Sequence, residues 1–270
     1  MTRRGGRRPR RPFGQGPFGS VALAACALAT ALAPPGAGAQ ARSPTLEINL
    51  PAYRLSVLVD GEVEVDYTVC VGSAAYPTPV GAFAIARIVW NPWWHPPASP
   101  WAAGKAVTPP GPRNPMGRVK LYFRDLYYVH GTSDTASLGC AASHGCVRMS
   151  NPDAVALARR VHLAGAPDAD RAEIERLAAT PHATREIELT HPVPLEIVYR
   201  IAEVRRDELL LHPDVYGRAR EGYETAIGEA LRQAGHAWAA GDPDLVRGLV
   251  SLAPRPGEPP VAIPLADLPR

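Results

Sequence analysis

Between Tyr128 and Asp153 the chain reads YVHGTSDTASLGCAASHGCVRMSNPD, with two His-Gly pairs, two cysteines, one arginine and then a helix start. Those residue types allow three readings: nucleophilic catalysis by a cysteine, metal binding by histidine and cysteine, or a glycine-rich loop beside a core. A cysteine attacks as thiolate, and a free thiol of pKa about 8.5 is mostly protonated at neutral pH. Cys146 therefore needs a base or a cation close by. His130 ends an apolar strand-like run well upstream, and His144 lies almost beside Cys146; on spacing alone either reaches the sulfur. A histidine at a strand end can be oriented by a backbone carbonyl on its other ring nitrogen. One in a tight glycine turn has less freedom, but the N–H groups around it can polarise an acyl oxygen.

The glycines at 131, 139 and 145 allow close backbone approach and positive φ angles. Gly145 would let its own N–H and that of Cys146 point to one side. Arg148, always charged, offers a fork for a carboxylate. Nucleophile, base, oxyanion donors and anion anchor together describe a thiol acyl-transfer site. Zinc held by His130, His144, Cys140 and Cys146 is the main chemical rival, but the spacing lacks a paired-ligand motif. No metal and no cofactor are expected.

The elements that must carry these residues are mostly β. TLEINL alternates from Thr45, YRLSVLV follows, Asp60-Gly61 is a hairpin turn signal, and EVEVDYTVCVG alternates again. Gly81-AFAIARIVW, RVKLYF and LYYVHG extend the pattern to Gly131, with Tyr122, Tyr127 and Tyr128 read as packing residues. Asn91 to Gly117 intervenes with eight prolines and three tryptophans, which excludes a central strand. It reads as a long ordered loop or lid, and long loops in compact domains are commonly functional. Trp94 in it is a candidate to line a substrate groove. After the motif, Ser150 or Asn151 can cap a helix with Pro152 in its first turn. A second short helix and a return to strand spacing follow, then a C-terminal helical extension over 205–252 and a Pro-rich tail over 253–270.

Residues 1–39 read as a cleaved export signal: six arginines without an acid, a short apolar run, and Ala37-Gly38-Ala39 in a small-x-small pattern. The apolar run is shorter than the roughly 20 residues that span a bilayer. Arg10-Arg11 leaves a twin-arginine route open, and Cys26 a lipoprotein anchor, which the apolar residues continuing past it disfavour. The formal charge of +3 comes from this segment, since without its six arginines 23 basic side chains face 26 acidic ones. Nothing basic remains to argue for nucleic acid. The expected location is the periplasm or cell envelope.

His130-Gly131-Thr132, Ser137-x-Gly139 and Ser143-His144-Gly145-Cys146-Val147-Arg148-Met149 together resemble the signature of the L,D-transpeptidase catalytic domain, the YkuD family. The resemblance extends to Thr78-Pro79-Val80-Gly81-x-Phe83, to Trp94–Pro97 and to Asn114-Pro115-Met116-Gly117, and covers roughly 45–204. It implies a mostly β fold, a sandwich or mixed sheet with short helices. It further implies a cysteine that attacks the bond after the L-centre of meso-diaminopimelate in a peptidoglycan tetrapeptide stem, releases D-alanine, and passes the acyl group to another stem as a 3→3 cross-link.

In that mapping Cys146 is the nucleophile, His130 the base, and the Gly131 carbonyl orients His130. The backbone of His144, Gly145 and Cys146 supports the oxyanion, while Arg148, Ser143, Thr132 and Trp94 meet substrate. Water, or the lysine of a wall-anchored protein, would serve the same first half-reaction as acceptor. A non-catalytic peptidoglycan-binding module is the reading from another class. Cys140 departs from the family's usual look. A Cys70–Cys140 disulfide would leave Cys146 free, while a Cys140–Cys146 lock or unpaired thiols are the other arrangements.

Overall fold

The computed structural model describes residues 43–219, 222–236 and 243–268, all within one compact unit, Ala39–Arg270. The expected export segment and Cys26 lie outside the described residues. The chain starts with β1 (Thr45–Asn49), β2 (Arg54–Val59), β3 (Glu62–Thr68), the two-residue β4 (Val71–Gly72) and β5 (Gly81–Trp90). Asp60 and Gly61, both at positive φ, turn β2 into β3 as the hairpin signal requires.

The site-bearing part comprises β6 (Val119–Arg124), β7 (Tyr127–Thr132), β8 (Ala141–Ser143) and β9 (Val147–Ser150), followed by helices α1 (Asn151–Gly165) and α2 (Arg171–Ala179). Next comes the long strand β10 (Arg185–Val198). Eight strands form one mixed sheet in the order β3-β2-β1-β10-β5-β6-β7-β9. β1–β10 and β7–β9 pair parallel, and the other neighbours are antiparallel. The fold is mostly β, as the strand pattern implied, and of the sandwich or mixed sheet that the resemblance implied it has the mixed sheet. TREIELTH and PLEIV form a single strand, β10, whose register shifts between Glu188 and Val193. Pro192 has no N–H for the ladder there.

Helix α1 covers one face of the sheet, packing on β5, β6, β7, β9 and β10. The Ser150 side chain caps it by accepting from the Asp153 N–H at 3.2 Å, with Pro152 in the first turn. Its face of Ala154, Val155, Leu157, Ala158 and Val161 is buried in a core that includes Ile48, Ile88, Trp90, Leu121, Val129 and Met149. Asn151, the other candidate cap, instead accepts from the Arg118 N–H at 2.9 Å.

The C-terminal region departs from the sequence reading. It holds helices α3 (Gly222–Gln233) and α4 (Pro243–Ser251), but also β11 (Ala202–Arg205), β12 (Glu208–Leu211) and β13 (Val261–Pro264) in a three-stranded sheet. The Pro-rich tail is therefore no loose appendage. Val261–Pro264 pairs along β12, completing a second core around Leu209, Leu211, Ile227 and Leu231. The strand was illegible because ELLL and VAIP are too short for a period.

This region is fastened to the sheet edge by charge. Arg54 holds Glu203 through two contacts of 2.7 and 2.8 Å, and His212 Nε2 lies 2.7 Å from the same carboxylate. Burial alone would push Glu203 up. The hydrogen bonds from His212 and Arg54 outweigh it and hold the carboxyl at about 2.

Candidate active site

Strand alternation decides which side chains share the site. On β7, Val129 faces the core while Tyr128, His130 and Thr132 take the other face; on β9, Val147 and Met149 face the core and Arg148 does not. His130 pairs with Arg148 across β7–β9 and with Lys120 across β6–β7. Cys146 sits immediately before β9, so its side chain falls on the same face as Arg148. Tyr128, His130, Thr132, Cys146 and Arg148 all line one cavity of about 660 Å³.

His130 is 1% exposed, with Nδ1 at 2.8 Å from the Gly131 carbonyl oxygen. A carbonyl can only accept, so Nδ1 carries the proton and Nε2 keeps a lone pair. Burial pushes the imidazole down to about 3, against the Gly131 hydrogen bond, with the Arg148 and Lys120 charges adding to the fall. The ring is a neutral base over the whole physiological range.

The Gly131 carbonyl is itself held by close packing. A Cβ on Gly117, which has φ +60°, would stand 2.7 Å from the Gly131 oxygen and collide with Asn151 Oδ1. Only glycine fits there. Gly117→Ala is expected to displace this carbonyl and with it His130. Thiol alkylation at Cys146 should fall at least tenfold, with a stability loss of about 2 kcal/mol; unchanged alkylation kinetics in a folded variant would contradict the coupling.

Cys146 is partly exposed at the cavity and its Sγ lies 3.5 Å from the Leu126 carbonyl oxygen. Leu126 turns β6 into β7 at φ 65° and is 76% exposed at the cavity rim. Burial pushes the thiol up. Hydrogen bonds from the Tyr128 backbone and hydroxyl, with the Lys120 and Arg148 charges, pull the other way. Tyr128 is therefore more than packing: its hydroxyl meets the sulfur. Its position two residues before His130, on the same strand face, was the signal that could have found it.

The turn before Cys146 is braced from within. Ser143 Oγ donates to the Cys146 carbonyl and accepts from the Gly145 N–H at 3.0 Å. Two expectations change as a result. The hydroxyl of Ser143, 2% exposed, holds the turn, and the Gly145 N–H is spent inside the turn instead of joining that of Cys146 toward a substrate oxygen. Thr78 Oγ1 donates to the Gly145 carbonyl at 3.0 Å and accepts from the Gly72 N–H at 2.8 Å. Tyr216 then donates to the Gly72 carbonyl at 2.7 Å, carrying the bracing into the C-terminal region.

His144 is held in aromatic contacts. Its ring stacks on Trp101 at 4.2 Å and 16° and lies 4.8 Å from Tyr76. It pins the Pro-rich loop over the cysteine turn. That loop holds its shape with little regular structure because Asn114 Nδ2 serves the Pro92, Thr108 and Pro109 carbonyls, while Asn91 Nδ2 serves those of Leu177, Thr180 and Ala183. Trp94, 7% exposed, bridges to Thr108 and lines the cavity. Arg148 lies 3.9 Å from Asp134, too loosely to be consumed by it, and Thr132 Oγ1 accepts from the Asp134 N–H at 3.1 Å.

Of the arrangements left open for the cysteines, the structure has the unpaired one: Cys70, Cys140 and Cys146 are all free, and the possible Cys70–Cys140 disulfide is not formed. Cys70 is fully buried with its sulfur 3.6 Å from the Val71 carbonyl, whereas Cys140 is exposed. Here the odd cysteine count carries no information about pairing.

The mixed β-sheet thus presents a cysteine, a carbonyl-oriented histidine and cationic side chains to one cavity under the Pro-rich loop. Residues 43–175 match the model of the L,D-transpeptidase catalytic domain, YkuD, and the chain carries a domain of that family. Over 135 residues it is 36% identical to the Escherichia coli K12 protein named "Probable L,D-transpeptidase YbiS", covering 46% of this chain and 42% of that one. Over 48 residues it is 44% identical to "Probable L,D-transpeptidase ErfK/SrfK" of Salmonella typhimurium, 18% of this chain and 16% of that protein. Each match spans less than half of the relative. Among solved structures, an L,D-transpeptidase from Mycobacterium smegmatis aligns with a TM-score of 0.37 at 17% identity over 58% of each chain.

Proposed function

We propose that the protein is an exported L,D-transpeptidase that forms 3→3 cross-links between peptidoglycan stems through a thioester on Cys146. The observation that carries this reading is the His130 Nδ1–Gly131 carbonyl bond, which leaves Nε2 unprotonated in the cavity that also receives Cys146. His130 takes the thiol proton as sulfur attacks the stem carbonyl carbon. Backbone N–H groups of the turn other than that of Gly145 support the oxyanion, which collapses to the thioester as His130 returns the proton to the departing D-alanine amine. The side-chain amine of a second stem then attacks the thioester, losing a proton to His130. The new amide forms and the thiol is restored.

Arg148 and Thr132 face the cavity where a substrate carboxylate can sit, and Trp94 forms part of its loop wall. The reading places the protein in the periplasm or cell envelope, where its substrate lies. It needs no cofactor.

Intact-mass measurement with a disaccharide-tetrapeptide, with and without a second stem, tests it. An adduct on Cys146 that resolves into a 3→3 dimer is expected. Resolution to tripeptide alone would mean a carboxypeptidase, and transfer only to a protein lysine would mean wall attachment. An unreactive Cys146, with the thiol confirmed reduced, would leave a binding module and overturn the proposal.

A further inference from the structure

Lys120 lies on the site face of β6, directly opposite His130, yet nothing in the acyl-transfer scheme above uses it. It is 8% exposed. A buried ammonium is costly unless paired, and among the described residues no carboxylate lies within ion-pair distance of it. Glu186, the acid on that side, is spent on Arg87 at 2.8 Å, and Arg87 itself stands 4.0 Å over the Tyr122 ring. What Lys120 does meet is aromatic: Nζ is 3.5 Å from the Tyr122 hydroxyl, 5.8 Å from the Tyr122 ring centre and 4.9 Å from that of Tyr128. Tyr128 in turn lines the cavity with Cys146 and interacts with its thiol.

The groups facing this cluster account for its charge. Arg87 and Glu186 neutralise each other. His130, buried and donating through Nδ1 to a carbonyl, brings no charge to the resting site. Arg148, 3.9 Å from Asp134, adds a second cation beside Cys146 from β9. The anion that would compensate Lys120 is the one the reaction creates.

We infer that Lys120 is the built-in counter-charge of the Cys146 thiolate, acting through the Tyr128 ring and hydroxyl. A cation beside the phenol ring is attracted to its face and makes its O–H a stronger donor. The proton leaving sulfur then exposes a charge already matched from behind the site. Lys120 touches no reacting atom, so it is a positioning residue for charge. The inference rests on the thiol acyl-transfer reading and concerns only how the nucleophile is poised.

The test follows iodoacetamide alkylation of Cys146 against pH by peptide mass spectrometry, in a Cys140→Ser background so that the exposed thiol does not interfere. Lys120→Met, similar in length and apolar, should raise the midpoint of the profile by about one pH unit and slow alkylation at neutral pH about tenfold. Its melting temperature should hold or rise, because a buried charge is gone. Lys120→Arg should keep most of the parent profile.

Tyr128→Phe should move the midpoint the same way. Adding Lys120→Met to it should do less than Lys120→Met does alone, since the two act in series. An unmoved midpoint in folded Lys120→Met overturns the inference, as does a full additive shift in the double variant. A parent Cys146 that stays unalkylated at every pH would instead sink the acyl-transfer reading and this inference with it.

Discussion

Cys146→Ala is expected to abolish acyl-enzyme formation and all transfer from a tetrapeptide stem, a loss of about 10⁵-fold or more in kcat. No other described thiol can substitute. Cys70 is fully buried, and Cys140, though exposed, lines a different cavity with Tyr53, Arg54 and Asp66. The fold should survive, because the bracing hydrogen bonds at this residue involve its backbone carbonyl and the Ser143 hydroxyl, not the sulfur. Thermal unfolding should therefore stay within about 1 kcal/mol of the parent. Residual cross-linking by the alanine variant would place the nucleophile elsewhere.

The second large effect is expected at His130. His130→Gln should slow acylation of Cys146 by about 10²- to 10⁴-fold, because glutamine keeps a polar side chain but offers no base. His144→Gln should cost less than tenfold, through loosening of the stack with Trp101 and Tyr76. Equal losses from the two substitutions would undo the assignment.

The pH dependence separates the two histidines further. Burial holds His130 down to about 3, so protonation of the base should produce no acid limb near the usual histidine range, about 6.5. The same shift fixes a stability trend. Between about 6.5 and 3 the unfolded chain binds the proton that the folded ring refuses, so stability falls as pH is lowered through that window. Acylation of Cys146 measured on folded protein, without an amine acceptor, should stay level between pH 7 and 5; a limb near 6.5 that vanishes in His130→Gln would show the ring to be solvated.

Much of this site was legible in the residues. The His-Gly and Ser-His-Gly-Cys spacings named a candidate nucleophile and two candidate bases, but the strand read as ending at His130 runs on to Thr132, so the histidine sits inside β7 and is paired on both sides. What stayed hidden depends on neighbours far apart in the chain. Tyr128 and Lys120 looked like one packing aromatic and one lysine in a strand; only the β6–β7 register brings Lys120 opposite His130 and the Tyr128 hydroxyl to the sulfur. His144 and Trp101 belong to different loops, and their stacking could not be read from either.

The sequence by itself determined the candidate groups: a thiol, an imidazole on a strand, glycines where side chains cannot fit, and a β-rich frame with one Pro-rich loop. Local rules suffice for these, since alternation, turn types and side-chain pKa act over a few residues. Tertiary structure decided which histidine is buried and oriented by a carbonyl, which N–H group of the cysteine turn is already paired, that the described cysteines are free, and that the tail closes a second sheet. Those outcomes depend on burial and on partners many residues apart. Desolvation of His130, the spending of the Gly145 N–H on Ser143 and the pairing of Val261–Pro264 with β12 exist only once the chain has closed on itself.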